Sequence, residues 1–119
     1  MRLSEELRTR TKAFASVIVR LYIRLPRCRE EVAVLGKQML RSGTSVASHA
    51  REASRARSDA EFCSKIDVLL QEADETQLWL ELLIEDCLIE DRALKELHQE
   101  SDEIMAIFTS IVSKIRRNS

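Results

Sequence analysis

Apolar positions recur at alternating steps of four and three residues in four stretches of the chain, and each stretch reads as an amphipathic helix. In the first, Leu7, Thr11, Phe14, Ile18, Leu21 and Leu25 form a narrow stripe. Pro26 stops it, because proline disfavours helix in the residue before it and has no amide hydrogen to give. The second begins near Arg29 or Glu30, where two glutamates suit the positive end of a helix dipole. Its stripe reads Val32, Leu35, Met39, Ser42, Val46, His49 and Ala53. The run from Ser58 to Glu61 is a capping box that opens the third helix: the hydroxyl accepts from the Glu61 amide while the carboxylate reaches back to the serine amide. The third stripe is Phe62, Ile66, Leu69, Ala73, Thr76, Leu80, Leu83 and Cys87, and the fourth is Leu94, Leu97, Ser101, Ile104, Phe108, Ile111 and Ile115.

Helices spanning roughly 4–25, 29–56, 59–87 and 91–117, joined by short loops, predict an all-α, antiparallel up-down-up-down four-helix bundle. At 119 residues the chain makes one domain, 1–119. Two features exceed what a plain bundle needs. Gly43 sits mid-helix at a cost of about 1 kcal/mol relative to alanine, which reads as a close helix contact or, alternatively, a break or kink. The third helix also carries Leu70, Trp79, Leu82 and Ile84 outside its stripe. A second apolar face calls for a second neighbour, so Trp79 and Leu82 are candidates for contact with another subunit.

Composition adds little to this picture, and charge adds more. Hydrophobic residues make up 45%, charged residues 33% and aromatics only 4%, a profile suited to long helices and poor for sheets. The net charge of −1 hides an asymmetry: residues 1–57 hold 13 Lys/Arg against 5 Asp/Glu, and residues 58–119 hold 6 against 15. In an antiparallel bundle the two halves attract, and part of the first half presents a basic surface. Most of these charges read as solvated faces. No apolar run follows a basic N-terminal region and none approaches the ~20 residues of a membrane span, so a cytoplasmic location and no membrane partner are expected. Cys28, Cys63 and Cys87 match no zinc or redox spacing and are expected as free thiols.

The chemistry-bearing residues point away from catalysis. A di-iron bundle needs two Glu-x-x-His motifs, but three residues before His98 stands Lys95 and before His49 stands Val46. His49 and Glu52 share a helical face, a weak metal signal beside the reading of a packed, hydrogen-bonded histidine. Ser42, Ser45 and Ser48 near His49 and Glu52 suggest a triad only superficially, since a regular helix offers no oxyanion hole. No catalytic, cofactor-binding or metal-ligating residue is therefore assigned, and no small-molecule substrate is expected. Arg51 and Arg55, four apart, and Arg57 in the turn beyond form a basic patch that can bind the phosphates of RNA or DNA. No aromatic residues are interleaved there to stack bases. If the second and third helices pair around the turn near Ser58, Arg41 lies close to Glu72 and Glu75, with Ser42 and Ser45 nearby. These five residues are expected to form a structural polar network.

Several motifs together carry a family resemblance. They are Leu35-Gly-Lys-Gln38, Leu40-Arg-Ser-Gly-Thr-Ser-Val46, Arg51-Glu-Ala53, Arg55-Ala-Arg-Ser58, Glu61-Phe62, Glu72-Ala-Asp-Glu75 and Trp79-Leu-Glu-Leu82. The chain resembles the four-helix-bundle proteins first noticed as reading frames inside intervening sequences of bacterial 23S ribosomal RNA genes, and the resemblance covers nearly its whole length. It implies a bacterial cytosolic bundle assembling as a ring-like homopentamer, with no established enzymatic activity. The family is also similar to the accessory proteins of diversity-generating retroelements, basic pentameric bundles that bind a reverse transcriptase and nucleic acid. His49 stands where family members usually carry asparagine. The reading that follows is a non-enzymatic, self-assembling bundle that binds nucleic acid through its arginines. The alternative is a protein–protein scaffold that binds none.

Overall fold

The computed structural model describes residues 3–118, so residues 1, 2 and 119 of the expected domain lie outside the described residues. Four helices and no strands occupy them: α1 (Glu5–Arg24), α2 (Glu30–Ser54), α3 (Asp59–Glu85) and α4 (Arg92–Arg117). Three of the four helices, α1, α3 and α4, start at a residue whose side chain caps them. The Ser4 side chain accepts from the Leu7 amide at 3.2 Å and starts α1. Leu25, before Pro26, turns extended and ends it. Ser58 accepts from the Glu61 amide at 3.1 Å to start α3, but the Glu61 carboxylate reaches the amide and guanidinium of Arg57 instead of the serine amide. Asp91 caps α4 through the Ala93 amide at 3.0 Å. Between α3 and α4, Leu88 adopts φ 58°, the left-handed region that favours glycine.

The helices contact one another in the cyclic order α1–α2–α3–α4, and the diagonal pairs stay apart. The result is an up-and-down bundle 49 Å long and 20 Å across. The α2–α3 contact is the most extensive and the α4–α1 contact the thinnest. Across that thinner seam Arg10 bonds Glu100 and Glu103, each at 2.7 Å, and Arg24 bonds Asp91 at 2.9 Å. Because α1 and α2 form one layer and α3 and α4 the other, the charge asymmetry of the chain becomes a basic side and an acidic side.

Phe14, Ile18, Met39, Phe62, Leu80, Ile104 and Phe108 lie at the centre of a continuous core. All eight positions of the α3 stripe are buried. The second half of α2 departs from expectation: Ala50 is buried and His49 only half-buried. In α4, Val112 is buried where Ile111 was expected. The helix does not break at Gly43. Instead Ile18 of α1 occupies the space a side chain would need, with a Cβ there falling 2.8 to 3.0 Å from three Ile18 carbons.

Candidate nucleic-acid interface

The antiparallel packing of α1 on α2 sets the first turns of α1 beside the last turn of α2. Between them runs an open groove of about 380 Å³ lined by Glu5, Arg8, Thr9, Lys12, Arg51, Ser54 and Arg55. Arg8 and Lys12 are one helical turn apart, as are Arg51 and Arg55, so two cation pairs project from facing flanks. Among the described residues, no carboxylate lies within 4.0 Å of any of these four cations. Ser54 donates to the Arg51 carbonyl at 2.7 Å, which turns its hydroxyl into the helix. Glu5 is the one acid lining the groove. Four cations against one carboxylate leave a positive surface whose charge is not spent on the protein itself.

Arg51 and Arg55 therefore sit together as the sequence suggests, and two cations from α1, Arg8 and Lys12, join them. Their signal in the sequence is the four-residue spacing, but only the α1–α2 register brings the pairs together. Arg57 is not part of the groove. Its side chain is 88% exposed beyond the end of α2 and meets the Glu61 carboxylate at 3.3 Å. A larger groove of about 500 Å³ lies at the α3–α4 turn, but it sets Arg92 and Lys95 against Glu90 and Asp91. It therefore has no excess of either charge to offer a polyanion.

The expected polar network is brought together in part. Arg41 approaches Glu72 at 4.0 Å and Glu75 at 3.7 Å, distances too long for hydrogen bonds, and Arg41 is mostly exposed. The short link is instead buried: the Ser42 and Thr76 hydroxyl oxygens are 2.7 Å apart. Thr76 donates its own proton to the Glu72 carbonyl at 2.8 Å, so Ser42 donates to Thr76. Ser45 stands outside the network because its hydroxyl donates to the Arg41 carbonyl at 2.8 Å, within α2. Trp79 and Leu82 are half-buried, and the Trp79 indole N–H is occluded without an acceptor among the described residues.

Among the serine, histidine and glutamate side chains of α2, Ser48 and His49 converge on the Ser45 carbonyl, while Glu52 turns to Lys65. His49 Nδ1 lies 2.9 Å from the Ser45 carbonyl, an acceptor, so that nitrogen carries the proton. Glu52 bonds Lys65 at 2.9 Å, and that hydrogen bond holds its carboxyl below the usual range. Ser48 donates to the Ser45 carbonyl at 3.1 Å. Ser48 Oγ also lies 3.4 Å from His49 Nδ1, but that nitrogen carries the proton given to the Ser45 carbonyl and so is no base for a serine nucleophile. Among the described residues, no group of three or more His, Cys, Asp or Glu side chains is placed to hold a metal ion. No described helix is long and apolar enough to cross a membrane.

The molecule is thus a four-helix bundle with a basic groove on its α1–α2 layer. The sequence profile of the 23S rRNA-intervening sequence proteins matches residues 5–110, and the chain belongs to that family. Its fold is similar to the crystal structure of a protein of unknown function from the S23 ribosomal protein family of Bacteroides thetaiotaomicron VPI-5482. That protein is 39% identical, with a TM-score of 0.81 over 89% of this chain and 97% of the other. No curated protein matches the chain.

Proposed function

We propose that this protein is a non-enzymatic, cytoplasmic bundle that assembles into a ring-like homopentamer and binds RNA or DNA through the α1–α2 groove. The observation that carries the binding reading is the convergence of Arg8, Lys12, Arg51 and Arg55, four cations without carboxylate partners, on one open groove. Cations of this kind displace condensed counterions from a phosphate backbone, and a ring repeats the groove once per copy. With four phosphate contacts, affinity for RNA falls about 10²-fold between roughly 50 and 200 mM salt. The variant Arg51→Glu/Arg55→Glu abolishes retention on RNA at low salt while leaving helicity unchanged.

A second reading, a protein–protein scaffold, is favoured by the apolar side chains Val68 and Leu78 that α3 leaves exposed. It predicts no retention on RNA or DNA even at low salt, so the same column experiment separates the two.

A further inference from the structure

The cations account for only part of the groove between α1 and α2. Glu5, Arg8, Thr9 and Lys12 stand at steps of three and four along α1, so all of them share one face. Arg8 and Lys12 make one column of that face, and Glu5 and Thr9 make a second beside it. The second column is unspent. Among the described residues, Glu5 has no hydrogen bond from its carboxylate and no cation within 4.0 Å. Thr11, Thr44 and Thr76 each donate the hydroxyl proton to a carbonyl one turn back, at 3.1, 2.7 and 2.8 Å, whereas Thr9 makes no such bond. Ser54, across on α2, has given its proton to the Arg51 carbonyl, so its oxygen is left as an acceptor.

Phosphates alone do not call for these groups. Phosphate oxygens and an ionised carboxylate both only accept hydrogen bonds, and they repel each other. Glu5 and Glu6 both suit the positive end of α1, but Glu6 lies outside the groove, so the dipole does not require the acid that Glu5 places inside it. What a carboxylate among phosphate-binding cations matches is a neutral donor on the same strand. The 2′-hydroxyl of ribose is such a donor, recurs with every phosphate and is missing from DNA. Carboxylates bind that hydroxyl in dinucleotide-binding folds. Base amines also donate, but no aromatic ring lines the groove to stack a base in it.

We infer that the groove takes the ribose–phosphate backbone of RNA in preference to the backbone of DNA, with Glu5 accepting from a 2′-hydroxyl. Arg8, Lys12, Arg51 and Arg55 hold the flanking phosphates, and Thr9 and Ser54 offer further acceptors to the neighbouring sugar. In DNA the carboxylate meets no such donor and only weakens the hold of the cations. This inference rests on the proposed binding of nucleic acid in the groove and adds to it the sugar that the groove selects.

The test compares a uridine homopolymer with a deoxyuridine homopolymer of equal length at one low salt concentration. The bases are the same in both, so the ratio of affinities reads the sugar. Wild type binds the RNA roughly tenfold more tightly, the effect of one hydrogen bond to a charged group. Glu5→Ala removes a negative charge from the groove, which raises affinity for both polymers alike, while the lost hydrogen bond brings their ratio toward one. Glu6→Ala removes the same charge outside the groove and leaves the ratio at its wild-type value. Both residues are exposed, so both variants keep the wild-type circular dichroism. Equal wild-type affinities, a ratio unchanged by Glu5→Ala, or a ratio lowered as much by Glu6→Ala overturns the inference while leaving the groove reading intact. A wild-type chain that binds neither polymer overturns both.

Discussion

Gly43→Ala exchanges a gain in helix propensity for a collision, and the structure decides which wins. Alanine is better than glycine in a helix interior by about 1 kcal/mol. At position 43 the new Cβ would lie 2.8, 2.9 and 3.0 Å from Cγ1, Cδ1 and Cγ2 of Ile18. Ile18 is fully buried and β-branched, so it has one strongly preferred rotamer and no open side to move into. Overpacking of this kind costs about 1–3 kcal/mol. The net effect is a loss of about 1 kcal/mol, or roughly 4 °C in Tm for a chain of this size.

Gly36→Ala is the internal control. There the Cβ meets Leu25 Cδ1 at 3.0 Å and the Tyr22 ring at 3.4 Å, the outer ends of longer side chains that can shift. Propensity then dominates, and Tm holds or rises. Ile18→Ala removes all three clashing carbons, so combined with Gly43→Ala it costs less than the two losses added. The assay is urea and thermal unfolding followed by circular dichroism at one fixed protein concentration. Gly43→Ala proving as stable as Gly36→Ala would refute the reading of α1–α2 contact through that glycine.

Four further outcomes follow from local geometry. Ser42→Ala and Thr76→Val each lose about 1 kcal/mol with the buried hydrogen bond between the two hydroxyls, whereas the double variant loses less than their sum. Arg41→Met changes stability by no more than about 0.5 kcal/mol, since its carboxylates stand off at the surface; equal losses from Arg41→Met and Ser42→Ala would contradict this assignment. The Asp91 carboxyl is held below the usual range, first by the Arg24 hydrogen bond and then by the Ala93 amide. A depressed folded value means a contribution present at neutral pH that is lost as pH falls through and below about 4. Asp91→Ala therefore costs about 1 kcal/mol at pH 7 through the lost cap. Its Tm converges on wild type in acid, while curves that stay parallel down to pH 3 would count against the link. Leu88→Gly removes a left-handed strain of about 1–2 kcal/mol at a residue 75% exposed. Glycine's extra chain entropy offsets part of that gain, leaving a small rise in Tm; a fall would show that the Leu88 side chain holds a contact of its own.

The four-helix architecture is written in the chain wherever large aliphatics keep strict spacing. The α3 stripe from Phe62 to Cys87 is the clearest case, because a helix between two neighbours buries every position of its seam. The second half of α2 resists the same reading. With small residues in place of aliphatics, Ala50 and His49 compete for the inward position and spacing cannot choose between them. In α4, Ile111 and Val112 are adjacent and equally apolar, so only packing decides. Ser42 and Thr76 each stand on a stripe, yet their bond depends on the α2–α3 register. The site divides in the same way. Arg51 and Arg55 are visible as a pair on one helix, whereas Arg8 and Lys12 become their neighbours only through the α1–α2 register, itself set where Ile18 fills the space beside Gly43. Arg57 looks like part of the patch by sequence and leaves it because it lies beyond the end of α2, where its exposed guanidinium meets Glu61 of the capping turn.

The central claim is that two helices, not one, build a single polyanion-binding groove. Its most direct test is the slope of log Kobs against log salt for RNA binding, measured for wild type and for Arg8→Gln, Lys12→Gln, Arg51→Gln and Arg55→Gln. The account predicts that each neutralisation flattens the slope by about 0.7–0.9, with the α1 variants matching the α2 variants. Arg8→Gln and Lys12→Gln retaining the full wild-type slope and affinity would contradict it.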